Sequence, residues 1–285
     1  MTALKDKARR FTEMHAAPGI IVLPNAWDIG SAVIMADAGF PAIATTSAGI
    51  AFAQGLPDGE RISRQRMLEI CAGIAAAVPV PVTADLEAGY GPRPEQVAKT
   101  IEDAIDAGLA GCNIEDTSSR AGKKLYDFEA ACDRIRAGSE AAKKAKIAFA
   151  LNARTDAYLS QVGDAKFNFA ESVKRANAYL AAGATSAFVP GRLDAQTITQ
   201  LAHEVDGPLN VLGAFSGSPS PFSVAELEGF GVKRVSIGGS LTGAVLGFIR
   251  RSIVELKTKG TFSYPEGGIP NAESGRLFEK YAAKK

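Results

Sequence analysis

Val78-Pro79-Val80-Pro81-Val82-Thr83-Ala84-Asp85-Leu86-Glu87-Ala88-Gly89-Tyr90-Gly91 is a β-branched, proline-punctuated run that stops at two carboxylates and a Gly-Tyr-Gly turn. A β-strand sends residues i and i+2 to one face. Asp85 and Glu87 are therefore expected to point the same way at the carboxyl end of a strand, beside a loop where glycine lets backbone approach a ligand closely. Two unpaired carboxylates repel each other, so a stable site needs a cation between them or a raised pKa. Two solvated or helix-capping acids at a strand end are the plainer alternative.

Outward from this stretch the chain repeats one unit, a short β-rich run ending in a polar residue and then an Ala-rich helical stretch. Strands are expected at 20–24, 42–47, 80–87, 111–116, 148–155, 185–190, 209–213 and 234–238, with helices at about 29–38, 64–77, 94–107, 127–145, 168–182, 194–205, 223–230 and 240–257. Gly39, Gly108, Gly183 and Gly231 stand just beyond helices, where a left-handed stop is common, and each leads into the next strand. Eight alternations in this length fit an α/β fold of the (β/α)8 barrel type. A doubly wound sheet would have fewer strands, and the first βα turn, Asn25-Ala26-Trp27-Asp28-Ile29-Gly30, is not a GxGxxG fingerprint. Residues 1–285 read as a single barrel domain, with 261–285 as a loop and a final helix beyond what a barrel needs. Leu277, Phe278 and Tyr281 share one face of that helix, so the tail is expected to bury itself, and a neighbouring subunit is the natural cover.

The 285 residues are 46% hydrophobic and 22% charged with net charge +1, which gives no sign of a nucleic-acid or membrane surface. No apolar run reaches the length of a membrane span, and the charged N-terminus has no apolar segment behind it, so no signal peptide is expected. Cys71, Cys112 and Cys132 are odd in number and scattered, which points to a reducing, cytoplasmic setting. His15 and His203 have no partner at metal-ligand spacing.

Barrel sites form where strands end. Those ends supply Asn25, Asp28, Thr46, Ser47, Asp85, Glu87, Glu115, Asp116, Asn152, Arg154, Pro190, Arg192, Asn210, Gly238 and Gly239, with Asp58 from the loop after the second strand. Mg²⁺ prefers oxygen ligands and keeps several waters, so one or two direct carboxylates would suffice. Arg154 could grip a substrate carboxylate in a two-pronged contact, or form an ion pair with Glu115 or Asp85. Asn210 could touch substrate or be a satisfied core amide. Ser236-Ile237-Gly238-Gly239-Ser240 opens the last long helix, where many barrels bind phosphate.

Together these residues resemble the isocitrate lyase/phosphoenolpyruvate mutase superfamily over about residues 18 to 250. The pieces that carry the resemblance are Leu23-Pro24-Asn25-Ala26-Trp27-Asp28, Thr45-Thr46-Ser47-Ala48-Gly49, Asp58, Ala84-Asp85-Leu86-Glu87-Ala88-Gly89-Tyr90-Gly91, Asn113-Ile114-Glu115-Asp116, Asn152-Ala153-Arg154 and Asn210. The resemblance implies a homotetramer, a dimer of dimers with the C-terminal helix exchanged between neighbours. It implies Mg²⁺, or Mn²⁺ in its place, near Asp85, with Asp58, Glu87 and Glu115 acting largely through water. It implies that Thr46, Ser47, Ala48, Arg154, Asn210 and Gly238 hold a small 2-oxo acid, and that bond cleavage yields a pyruvate-type enolate. Arg154, Glu115 and Lys123 are the expected catalytic residues.

Two departures bear on the reaction. The lyases of that superfamily carry a Cys- and His-bearing segment in the loop after strand four, whereas Thr117-Ser118-Ser119-Arg120-Ala121-Gly122-Lys123-Lys124-Leu125-Tyr126 has neither. The sixth strand ends at Phe188-Val189-Pro190-Gly191, without the His or Glu common there. The expectation is a metal-dependent carbon–carbon lyase or decarboxylase of oxaloacetate type. Phosphoenolpyruvate mutase or phosphonopyruvate hydrolase chemistry is the enzymatic alternative, and a non-catalytic oxo-acid binding protein is the other. Residues 117–125, polar and without apolar periodicity, are expected to form a mobile lid.

Overall fold

The computed structural model describes residues 2–118 and 124–282. In chain order its elements are α1 (Thr2–Ala16), β1 (Ile21–Leu23), β2 (Asn25–Ala26), α2 (Ile29–Asp37), β3 (Ile43–Thr45), α3 (Ser47–Ala53), α4 (Arg64–Ala77), β4 (Val82–Asp85), α5 (Pro94–Asp106), β5 (Gly111–Glu115), β6 (Thr117–Ser118), β7 (Lys124–Leu125), α6 (Phe128–Lys144), β8 (Ala150–Arg154), α7 (Ala157–Ser160), α8 (Ala165–Ala181), β9 (Ser186–Phe188), α9 (Ala195–Glu204), β10 (Leu209–Leu212), α10 (Val224–Gly229), β11 (Arg234–Ser236), α11 (Ser240–Lys259) and α12 (Asn271–Ala282).

The main sheet is parallel, in the order β1-β11-β10-β9-β8-β5-β4-β3-β2. Only Pro24 separates β1 from β2. Proline has no N–H to give a ladder, so the run 21–26 breaks there, while the Pro24 carbonyl still accepts from Ala44 N at 2.9 Å. β1 pairs with β11 and β2 with β3, so this one run closes the ring and makes eight barrel strands from nine segments. The close pairing of β5 with β8 requires Gly111, because a Cβ there would come 2.4 Å from the Ala150 carbonyl oxygen.

Alternation along the strands separates two environments. Cys112 and Ile114 of β5 lie in the apolar layer under the helices. Asn113, Asn152 and Ser186 face the barrel interior, where Asn152 Nδ2 donates to Asn113 Oδ1 at 2.7 Å and Ser186 Oγ donates to Asn152 Oδ1 at 2.6 Å. Arg234 reaches across the barrel from β11 to Asn113 Oδ1 at 3.4 Å. Helix α1 closes the amino-terminal end. It buries Phe11 and His15, and it is tied to the segments before β4 and β8 by Lys7 Nζ to the Val78 carbonyl (2.8 Å) and Thr12 Oγ1 to the Ala148 carbonyl (2.7 Å).

The helices end and begin on local signals. Asp28, Ser63, Asp127, Asp164, Asp194 and Ser223 each cap a helix through a side-chain oxygen. Asp28, expected among the site residues, is thus engaged as the cap of α2, with Ser31 completing a reciprocal box. In the tail, α12 packs on this chain's own α2. Tyr281 is buried, Leu277 joins the core, and Lys280 pairs with Asp37 at 2.6 Å. The face expected to need a neighbour is therefore partly covered within the protomer, although Phe278 stays exposed. No helix among the described residues is long and apolar enough to cross a membrane.

Candidate active site

The strand of the opening stretch ends at Asp85, and Glu87 lies past it with φ 51°. The strand alternation expected from sequence to bring these two acids together therefore does not do so. The turn does, through left-handed backbone at Glu87, Gly89 and Tyr90. Such conformations in non-glycine residues cost of order 1–3 kcal/mol each and persist only when neighbours fix them. Here Glu60 N donates to Glu87 Oε2, Tyr90 N donates to Glu60 Oε1 at 2.9 Å, and Glu115 N donates to the Glu87 carbonyl at 2.9 Å. The buried Arg134 of α6 clamps the same turn, donating to the Ala88 and Glu115 carbonyls.

Two adjoining cavities sit at the carboxyl ends of the strands. One, of about 250 Å³, is lined by Asp58, Glu87, Glu115, Thr117, Arg154 and Asp156 among others. The second, of about 140 Å³, is lined by Asn25, Thr46, Ala48, Asp85, Asn113, Ser236 and Gly238, and it shares Ser47, Asp58, Arg154 and Leu159 with the first. Asp58, Asp85, Glu87, Glu115 and Arg154 thus converge, as do Thr46, Ser47, Ala48 and Gly238.

Arg154 is the one cation among the described residues lining either cavity. Its Nε and one Nη donate to Asp156 at 2.6 and 3.0 Å, and its other Nη lies 2.9 Å from Glu115 Oε2. A guanidinium has five N–H donors, so two are left, one on each Nη. Asp156 was not anticipated. It stands two residues past Arg154, as Glu87 does past Asp85, and only the fold turns it back onto the guanidinium. Thr117 Oγ1 donates to Asp156 Oδ2 at 2.6 Å, and Asp156 N donates to Asp116 Oδ1 at 2.9 Å. Asp116 itself is buried beneath the site, held by Tyr179 (2.7 Å) and Arg175 (3.2 Å).

Crowding shows in the acidities. Burial, then repulsion from Asp85, raises the Asp58 pKa. Burial, then Asp58 and Asp85, pushes Glu87 up to about 8. Burial holds Glu115 well above the carboxylate range even against the opposing pull of Arg154. Burial works against the Arg154 cation, but Asp156, Glu115 and Asp85 keep it firmly protonated. Asp85 accepts from Ser47 Oγ (2.8 Å), Ser47 N (3.2 Å) and Glu87 N (3.4 Å).

Three expected residues sit differently. Asn210 is fully buried and reaches the cavity only through Ser236, 3.5 Å away. The Gly238 N–H donates to Asn25 Oδ1 at 3.0 Å, as Ile237 N does at 2.9 Å, so that loop ties the last strand to the first. Lys123 lies outside the described residues, as do the other members of 119–123; the flanks of the expected lid pair as an antiparallel hairpin of β6 and β7. Among the described residues no three His, Cys, Asp or Glu side chains stand close enough to hold a metal directly. The donor set is nonetheless all oxygen and short of positive charge. That fits a hard divalent cation held by one carboxylate, with the others acting through water.

An eight-stranded barrel with an acidic cleft around one clamped arginine defines a class of barrel enzyme scaffold. Residues 11–257 match the family model described as phosphoenolpyruvate phosphomutase, and the chain belongs to that family, within the isocitrate lyase/phosphoenolpyruvate mutase superfamily. A solved structure from Burkholderia cenocepacia J2315, provisionally described as a lyase/mutase, is 39% identical with a TM-score of 0.91, covering 98% of this chain and 97% of that one. An uncharacterized protein of Mycobacterium tuberculosis (strain ATCC 25618 / H37Rv) is 35% identical over 230 residues, 80% of this chain and 81% of the relative. An oxaloacetate acetylhydrolase, solved with its product oxalate, is 26% identical with a TM-score of 0.84, covering 99% of this chain and 95% of that one.

Proposed function

We propose that this protein is a Mg²⁺-dependent carbon–carbon lyase or decarboxylase that acts on a small 2-oxo acid of oxaloacetate type through a pyruvate-type enolate. The observation that carries this reading is the cleft itself, in which Asp58, Asp85, Glu87 and Glu115 surround Arg154. Asp85 would hold the cation, with Asp58, Glu87 and Glu115 engaging it through water. The bound ion would supply Lewis-acid stabilisation to the oxygen where charge develops.

This chain's own residues do the rest. The two remaining N–H groups of Arg154 offer a substrate carboxylate a cationic contact, and Asp156 and Glu115 fix the plane in which those groups point. Ser47, held by Asp85, and its neighbours Thr46 and Ala48 form the opposite wall. When the C–C bond breaks, its electron pair moves to the carbonyl oxygen, CO₂ or an aldehyde leaves, and a proton is taken at carbon. Decarboxylation is the version that depends least on a loop acid, because water can deliver that proton.

The family description favours phosphorus–carbon chemistry as the second reading. Against it, a phosphonate would add negative charge to a cleft whose described lining holds a single cation. The test is a screen of oxaloacetate, substituted malates, 2-methylisocitrate, phosphonopyruvate and carboxyphosphonoenolpyruvate, with Mg²⁺ and with EDTA. The expected result is cleavage of oxaloacetate or a malate that EDTA abolishes and Mg²⁺ restores. Turnover of phosphonopyruvate alone would overturn it, and oxalate binding with no turnover would make this a binding protein.

A further inference from the structure

Beside the acidic cleft lies a cavity of about 340 Å³ of different character. Ile198, Val211, Leu212, Phe215, Phe222 and Leu227 line it, with Arg192 and Asp194 as its charged residues. It sits between the carboxyl ends of β9 and β10, the start of α9 and the segment 213–222. None of the charged residues of the cleft lines it, yet the two spaces share a partition. Leu212, half-buried, has the cleft on one side and the apolar cavity on the other. A second route runs over Leu159, which lines both lobes of the cleft and an open groove that also includes Gly191, Arg192 and Phe215, all three of them walls of the apolar cavity.

We infer that this cavity receives an apolar arm of the substrate, so that the chain acts on a 2-oxo or 2-hydroxy acid bearing an alkyl or aryl substituent larger than methyl. The inference rests on the enolate reading of the cleft. Three features support it. Its volume falls in the range of pockets that enclose most of a small ligand's surface. Its lining matches a hydrocarbon group and would leave a second carboxylate unsolvated. The two charged residues of its wall are both engaged: the Arg192 guanidinium lies 4.4 Å over the Phe215 ring, and Asp194 caps α9 by accepting from Thr197 N at 2.7 Å. A wholly polar substrate of oxaloacetate size would use the cleft alone and leave this adjoining surface without a purpose.

The probe is a series of malonate, ethylmalonate, butylmalonate and benzylmalonate, with oxalate as a control, titrated by calorimetry into the full-length protein with saturating Mg²⁺. Kd is expected to fall about fourfold per methylene that enters the cavity, and each alkylmalonate should compete with oxalate. Ser220→Trp, a filling substitution at a half-buried position of the cavity wall, should remove that gain and leave the Kd of oxalate and malonate unchanged. Flat affinities along the series, non-competitive binding, or a gain that survives Ser220→Trp in a variant with the wild-type Tm would each overturn the arm while oxalate binding keeps the enolate reading intact. Failure of oxalate to bind with Mg²⁺ would overturn both. Should Ser220→Trp not fold, the chain-length dependence in the unmodified protein decides alone.

Discussion

Arg154 illustrates how a residue's chemistry is fixed by what surrounds it. Held on two sides by Asp156 and Glu115, the guanidinium is a positioned cation and not a mobile one. Lysine would keep the charge and lose the fork. Arg154→Lys should therefore lower kcat/KM by a factor of roughly 10–1000, the range expected from one or two charge-assisted bonds; equal kinetics would refute the contact. Asp156→Asn should cost about 1.5–3 kcal/mol of stability, read by urea denaturation, because it weakens a buried charged pair. Asp85 makes a contrasting case. Its charge raises the pKa of both Asp58 and Glu87. Asp85→Asn should abolish Mg²⁺-dependent oxalate binding and yet raise the Tm of the metal-free protein, by relieving that repulsion. A variant with unchanged metal affinity, or a lower metal-free Tm, would contradict this account.

At the level of elements, α1 carries a pH-dependent part of the stability. His15 Nδ1 lies 2.9 Å from the Phe11 carbonyl, which can only accept, so Nδ1 carries a proton. Burial, and then the nearby Arg234 charge, lower its pKa to about 3 from 6.5. Between those values the unfolded chain binds a proton that the folded chain does not, so stability is present above pH 6.5 and is lost as pH falls toward 3, by at most about 1.4 kcal/mol per pH unit. His15→Gln cannot titrate. Urea denaturation of the two proteins should show wild type losing its advantage progressively as pH falls through this window. A constant difference would show that the ring is not buried neutral.

On the scale of the whole molecule, the open question is what covers α11 and the segment before α12. Leu241, Phe248, Ile249 and Ile253 are exposed along α11, and Phe262 is 69% exposed just beyond it. Such a stripe exceeds the scattered apolar surface of ordinary monomers. A tetramer built from dimers, as the resemblance implies, would bury it. Removing residues 261–285 should lower the mass seen by light scattering, and should also lower the stability of the protomer, since Tyr281 and Leu277 pack on this chain's own core. Ile253→Arg separates the effects, because it should reduce the mass without touching that packing. Wild-type mass in both variants would show that neither the tail nor α11 is an assembly element.

The eight strands, their order and the acids at their ends were legible in the sequence, because parallel strands buried on both faces must be short apolar runs and barrel sites must lie where those runs stop. The family followed from the same residues. Tertiary structure alone decided how the site is wired. The strand ends at Asp85 and a left-handed turn aims Glu87. Asp156 takes the fork of Arg154, Asn25 takes the N–H of Gly238, and Asn210 withdraws behind Ser236. These pairings join residues up to 213 positions apart. Local sequence fixes which face a side chain takes, while the partner it meets across a closed barrel depends on where every other strand has been placed.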